Sequence, residues 1–284
     1  MLKSFAAFLA AGAALLGATL AQAQDAKKWT TIRIATEGAF APYNFTKPDG
    51  TLDGYEIELA KILCERMQVK CTMEAQAFDG MIPALNAGKF DAIMAGMSAT
   101  AKREEAIAFS IGYAATPQTF ATLKSSPLAK LPHDGEVLSL TTDEDGAKKK
   151  LEDLRPLLKG KAIGVQGSTI GLNFLEKYMK DMVEIREYKT MEQHDLDLNS
   201  GRVDLTIASL AYLTSAVKKP ENKDYVIVGP RIVGGVIGRG TSVGLRKSDP
   251  ELKAMFDKAV QSTRDDGTIS KLSMKWFGFD VTPR

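Results

Sequence analysis

Two stretches of this chain repeat one another. Asn86-Ala87-Gly88-Lys89-Phe90-Asp91-Ala92-Ile93-Met94-Ala95 aligns without a gap on Asn199-Ser200-Gly201-Arg202-Val203-Asp204-Leu205-Thr206-Ile207-Ala208. Each copy reads as a helix end, a glycine C-cap, a basic residue and a strand starting near an Asp. Helix–Gly–strand punctuation alone is common, but Asn, Gly, a basic residue, Asp and Ala recurring in register point to two similar α/β lobes. The length of 284 residues agrees, being too great for one routine core.

The surroundings of each copy support the same fold. Before the first copy, strand-like 29–36 leads through a loop and the turn Pro48-Asp49-Gly50 to a helix over 55–67 with Tyr55, Leu59, Ile62, Leu63 and Met67 inward. A strand over 69–75 and a short helix from Asp79 to Gly88 follow. Before the second copy, Lys161–Val165 reads as a strand, Gly167-Ser168-Thr169 opens a helix to about Lys180, and 183–188 and 191–199 read as strand and helix. This order predicts open, mostly parallel sheets flanked by helices. Thr116–Ala121 and the Gly/Val-rich stretch 228–243 read as two strand-like crossings, which together make a hinge. Residues 132–148 read as a surface insertion, and Pro250–Phe277 as helices packing back on the first lobe. The expected layout is residues 24–116 with 237–284 as lobe 1, and 117–236 as lobe 2 with hinge strands at its edges.

The N-terminus reads as an export signal, not as fold. Lys3 precedes an apolar run over 5–20, and Ala21-Gln22-Ala23 offers a cleavage site, so residues 1–23 are expected to be removed. The mature chain is therefore expected outside the cytoplasm, in an oxidising compartment. In such a compartment the two cysteines, Cys64 and Cys71, read as a disulfide. A metal site is not expected from one Cys pair without a nearby His. A formal net charge of +2 and the lack of a basic, aromatic-interleaved cluster give no reason to expect nucleic acid.

No catalytic constellation is legible. The two histidines, His133 and His194, have no partnered nucleophile, and His194 reads as a surface or structural residue. Asp91 and Asp204 read as caps or turn acceptors at strand starts. Binding chemistry fits better. Small residues over 95–99 end a strand where a ligand can approach the backbone, Thr100 can cap the next helix, and Arg103 in its first turn can take an anion bidentately. The competing reading of Arg103 is a surface residue answering Glu104 or Glu105. Gly167-Ser168-Thr169 presents amides and hydroxyls at a helix start, suited to a carboxylate or to ordinary capping. Glu37 leaves the first strand at the end where open α/β sheets bind ligands. Phe40 and Phe78 could flank an aliphatic or guanidinium group or pack in the core.

Several motifs carry a resemblance over essentially the whole mature chain: Thr36–Tyr43, Leu52-Asp53-Gly54-Tyr55-Glu56-Ile57-Glu58-Leu59, Phe78-Asp79-Gly80-Met81-Ile82-Pro83, 91–103, 164–169 and Asn199–Asp204. The chain resembles family 3 periplasmic solute-binding proteins of ABC importers for polar amino acids, in the branch that includes lysine/arginine/ornithine- and octopine/nopaline-binding proteins. The Cys64/Cys71 spacing also matches a disulfide of that branch. The resemblance implies a two-lobe fold closing on a ligand. Arg103, helped by Ser98 and by backbone at Ser168 and Thr169, would grip a carboxylate, and Glu37 a distal cation. Phe40 and Phe78 would form an aromatic clamp. Ala95 and Gly96 stand where amino-acid binders often carry hydroxyls, leaving a roomier floor, and Gln166 belongs to the same set. Ser209 departs from the pattern, standing where such binders use an Asp for the α-ammonium.

The expected function is therefore non-enzymatic: a monomeric receptor, without cofactor, that delivers an arginine-type cationic amino acid or its opine derivative to a membrane permease. The alternative is a periplasmic enzyme on the same scaffold, dehydratase-like, marked by a general acid/base buried in the cleft.

Overall fold

The computed structural model describes residues 29–283. The expected export signal lies outside the described residues. The chain begins with β1 (Thr31–Thr36), three short strands β2 (Ala39–Phe40), β3 (Asn44–Thr46) and β4 (Leu52–Asp53), then α1 (Tyr55–Met67) and β5 (Lys70–Ala75). After a 3-10 turn at Phe78–Gly80 come α2 (Met81–Asn86), β6 (Ala92–Ile93), α3 (Ala101–Glu104) and β7 (Ala108–Ala114). The second lobe contains β8 (Gln118–Leu123), β9 (Val137–Ser139), α4 (Glu144–Glu152), α5 (Arg155–Leu158), β10 (Ala162–Gln166), α6 (Ile170–Tyr178) and β11 (Glu184–Tyr188). It continues through α7 (Met191–Asn199), β12 (Leu205–Ser209), α8 (Leu210–Ala216) and β13 (Tyr225–Val233). β14 (Thr241–Leu245), α9 (Pro250–Asp265) and α10 (Thr268–Trp276) return to the first lobe.

The strands form a sheet in the order β5-β1-β6-β14-β7 and another in the order β11-β10-β12-β8-β13-β9. The repeated halves are visible in the pairing: β1 lies parallel between β5 and β6, as β10 lies between β11 and β12. The sheets are mixed: among the described residues five strand pairs are parallel, as the order of elements implied, and four are antiparallel. The antiparallel pairs in these two sheets all involve β8 or β14, the strands by which the chain enters the second lobe and returns to the first. A strand arriving from the other lobe adds to the sheet without a helical crossover of its own, so it is free to run antiparallel.

α1 shows how local sequence sets position. Its apolar residues recur at helical spacing, and Tyr55, Leu59 and Leu63 are wholly buried, each contributing roughly 1.5–3 kcal/mol by burial. Ile62 and Met67, expected inward, are only partly buried at the flank of that core. Glu56 and Glu58 favour the helix N-terminus and Arg66 the C-terminus. A disulfide joins Cys64 near the helix end to Cys71 in β5. Asp91 and Asp204 act alike at the starts of the equivalent strands, each accepting a backbone N–H, from Arg33 and Ala162 respectively.

The stretch 132–148 is not a surface insertion. β9 within it pairs in parallel with β13, and Leu138, Leu140 and Ala147 are buried in the second lobe's core. Its acidic run, which suggested an exposed loop, is the capped start of α4, where Asp143 accepts from Gly146 N–H at 3.0 Å.

Candidate functional site

The parallel strands of both lobes direct their carboxyl ends toward one cavity of about 280 Å³. Glu37 follows β1, Ala95, Gly96 and Ser98 follow β6, and Gln166 and Ser209 end β10 and β12. This is where open α/β sheets present loops and free backbone groups to a ligand. Phe40, Phe78, Arg103 and Thr169 line the same cavity. Ten of the eleven residues singled out from the sequence thus line one space. Ser168 is the exception: it is exposed and meets the site only through its carbonyl, which accepts from Arg103 Nη2 at 3.0 Å.

Arg103 is held from three sides. Thr100 caps its short helix, its hydroxyl accepting from Arg103 N–H at 3.3 Å. The guanidinium donates to Ser98 O at 2.9 Å and lies over the Phe78 ring, 5.5 Å from the centroid. Neither Glu104 nor Glu105 pairs with it; Glu104 pairs instead with Arg239. Burial without a carboxylate lowers the Arg103 pKa to about 10. Among the described residues the group is a fixed, partly desolvated cation lacking a counter-charge.

Glu37 supplies the opposite charge. Its Oε1 accepts from Gln166 Nε2 at 2.5 Å, and Gln166 also donates to Lys189 O at 2.9 Å. Burial raises the Glu37 carboxyl to about 7, against the pull of the Gln166 hydrogen bond, with Glu56, Glu192 and Asp79 adding to the rise. Both charged residues therefore reach across the cleft, Glu37 to Gln166 and Arg103 to Ser168, and the lobes stand closed on each other.

The aromatic residues differ in role. Phe78 stacks with Arg103. Phe40 lies flat against Tyr43, with centroids 4.8 Å apart and planes within 1°, and also stacks on Tyr212 of the second lobe at 5.5 Å. Its ring lines the cavity as part of a stack joining the lobes. Ser209 caps α8, accepting from Tyr212 N–H at 3.2 Å, and is neutral. Sequence reasoning did not assign Tyr43, Gln118, Met191 or Thr241, which also line the cavity. Tyr43 lay within a quoted motif, and Gln118 and Thr241 lay on the two crossings, read as hinge only. His194 is wholly buried in the second lobe, 3.1 Å from Asp195, so it is structural and not a surface residue.

Two lobes of like topology, linked by two crossings and closed on a cavity lined, among the described residues, by one carboxyl, Glu37, and by two guanidinium groups, Arg103 and the Glu104-paired Arg239, define a cleft-closing binding protein. The chain belongs to the bacterial extracellular solute-binding proteins, family 3, whose model matches residues 32–279. It is 50% identical over 278 residues to the octopine-binding periplasmic protein of Rhizobium meliloti, covering 92% of this chain and 94% of that protein. Against the lysine/arginine/ornithine-binding periplasmic protein of Escherichia coli K12 it is 35% identical, covering 94% and 95%. Among solved structures, an ancestral arginine-binding protein bound to arginine superposes with a TM-score of 0.73 at 32% identity, covering 87% of this chain and 98% of that one.

Proposed function

We propose that the cavity binds an arginine-type cationic amino acid or, at least as well, its opine derivative such as octopine or nopaline. The closed form is then what a membrane permease of an ABC importer receives, from a monomer that performs no chemistry. The carrying observation is the pair of fixed, opposite charges: Arg103 for a carboxylate and Glu37 for a guanidinium. The opine preference rests on Ser209. A free α-ammonium brings a charge that one neutral hydroxyl, already capping α8, pairs poorly. An opine carries a second carboxylate beside its secondary amine, so that centre partly neutralises itself. Ala95 and Ser209 are small where they line the cavity and favour the larger ligand, whereas the space over Gly96 is taken by the Phe40 ring. Likeness to octopine-, arginine- and lysine/arginine/ornithine-binding proteins supports the same class. Calorimetric titration with a panel of amino acids and opines tests it; no binding below millimolar for any of them overturns it.

Glu37 is also the group that favours an enzyme on this scaffold, since a carboxyl near pKa 7 in a cavity suits acid–base work. Among the described residues no histidine, cysteine or second carboxylate joins it in the cavity lining, and pairing with a cation accounts for its place. Product formed from prephenate or arogenate by the purified protein would establish the enzymatic reading instead.

A further inference from the structure

Glu56, the second residue of α1, is wholly buried, and its three hydrogen-bond partners among the described residues are neutral donors. Oε1 accepts from Gly96 N–H at 2.7 Å and from the Tyr113 hydroxyl. Oε2 accepts from Asn44 Nδ2 at 2.6 Å. Asn44, also wholly buried, passes the interaction on: its Oδ1 accepts from Gly38 N–H at 2.7 Å. Gly38 joins Glu37 to the strand bearing Phe40, and Gly96 lies between Ala95 and Ser98. One carboxylate thus holds the backbone of both first-lobe walls of the cavity.

We infer that Glu56 is a positioning residue for the ligand site, fixing the Glu37–Phe40 and 95–98 segments relative to each other through Gly96 and the Asn44–Gly38 relay. The inference rests on the cavity being the ligand site. It follows from what each group can do. A carboxylate only accepts, so Asn44 must turn its NH2 toward Glu56 and its oxygen toward Gly38. In Glu56→Gln the shape is kept but one acceptor becomes a donor. If that donor faces Asn44, it meets another NH2. If Asn44 turns over, its NH2 confronts Gly38 N–H. If the donor faces the other side, Gly96 loses its acceptor. In each arrangement a buried donor is stranded, and two of the three strand one in the cavity wall itself.

The same logic supplies a rescue. Asn44→Asp combined with Glu56→Gln moves the carboxylate one residue along the relay at equal size and charge. The carboxylate, now at position 44, accepts from Gly38 N–H and from the new amide NH2 at position 56. The oxygen of that amide accepts from Gly96 N–H and the Tyr113 hydroxyl. The experiment titrates octopine and arginine into wild type, Glu56→Gln and the double variant, and records amide spectra of each ligand-free protein. Glu56→Gln is expected to weaken both ligands about tenfold or more and to move the Gly38 or Gly96 amide resonances. The double variant is expected to return within about threefold of wild type and to restore those resonances. Wild-type affinity in Glu56→Gln overturns the inference. So does a double variant that regains melting temperature without affinity, because the relay then serves the core alone; a double variant that fails to fold has the same meaning. Should Glu56→Gln itself not fold, a double variant that folds and binds still supports it. If wild type binds neither ligand, the reading of the cavity fails separately, and unmoved Gly38 and Gly96 amides in Glu56→Gln overturn the relay by themselves.

Discussion

Arg103→Ala tests the anchor. The wild-type guanidinium is already aimed, one nitrogen on Ser98 O, another on Ser168 O, with its plane against Phe78. A ligand carboxylate therefore meets a fork that loses little freedom on binding. Truncating one partner of a desolvated, hydrogen-bonded charge pair costs about 2–5 kcal/mol, much of it from the stranded partner. At 1.4 kcal/mol per tenfold, affinity should fall roughly 30- to 4,000-fold. Arg103→Lys should recover little of this, because a point charge cannot span two carbonyls and a carboxylate. Removing the charge should not harm the ligand-free fold: among the described residues Arg103 has no carboxylate partner, so Arg103→Met should leave stability within about 1 kcal/mol. Calorimetric titration with arginine and octopine, beside urea denaturation without ligand, separates the two effects. Affinity within threefold of wild type for Arg103→Ala would refute the reasoning, since the carboxylate would then sit elsewhere.

The remaining predictions are simpler. Glu37 must be ionised to pair with a guanidinium, and its carboxyl is raised to about 7. Affinity should be full above that pH and fall by up to about tenfold per unit below it, with Glu37→Gln weak and flat; a flat wild-type profile would exclude the pairing. At Asp91 burial opposes ionisation, but hydrogen bonds from Arg33 and Arg246 prevail and hold it down to about 2. Its folded pKa is depressed, so its stabilisation is present above pH 4 and is lost as pH falls toward 2; Asp91→Asn should show about 2 kcal/mol less acid sensitivity in that window by denaturant titration. Gly238 lies on the return crossing at φ 83°, where an added Cβ would stand 2.4 Å from Ala99 O. Gly238→Ala should therefore lower the melting temperature and weaken ligand binding together; normal values for both would mean that the crossing shifts freely.

Much of this architecture was legible in the chain. The register of Asn86–Ala95 on Asn199–Ala208 implied two lobes, and the structure places β6 and β12 as equivalent strands beside β1 and β10. The bounds of α1 and α7 followed from apolar spacing and end signals. Arg103 stood out as a cation in the first turn of a helix, able to take an anion bidentately, and Glu37 as a charge leaving the first strand at the end where open α/β sheets bind ligands. What stayed hidden depended on long-range contacts. Glu56 was visible only as a member of the Leu52–Leu59 motif, and the approach of Asn44, Gly96 and Tyr113 makes it a buried hub. The stack of Phe40 on Tyr212 spans 172 residues of sequence, from 40 to 212, with no local periodicity to announce it. The acidic start of α4 looked like loop because capping and solvation favour the same residue types.

Calorimetric titration of the wild-type protein with octopine, nopaline, arginine, lysine and glutamate tests the central claim most directly. Binding of octopine or nopaline at least as tight as arginine, with glutamate not bound, is the result expected from Glu37, Arg103 and the neutral Ser209. A clear preference for free arginine or lysine over every opine, or no binding below millimolar for any of the five, would contradict it.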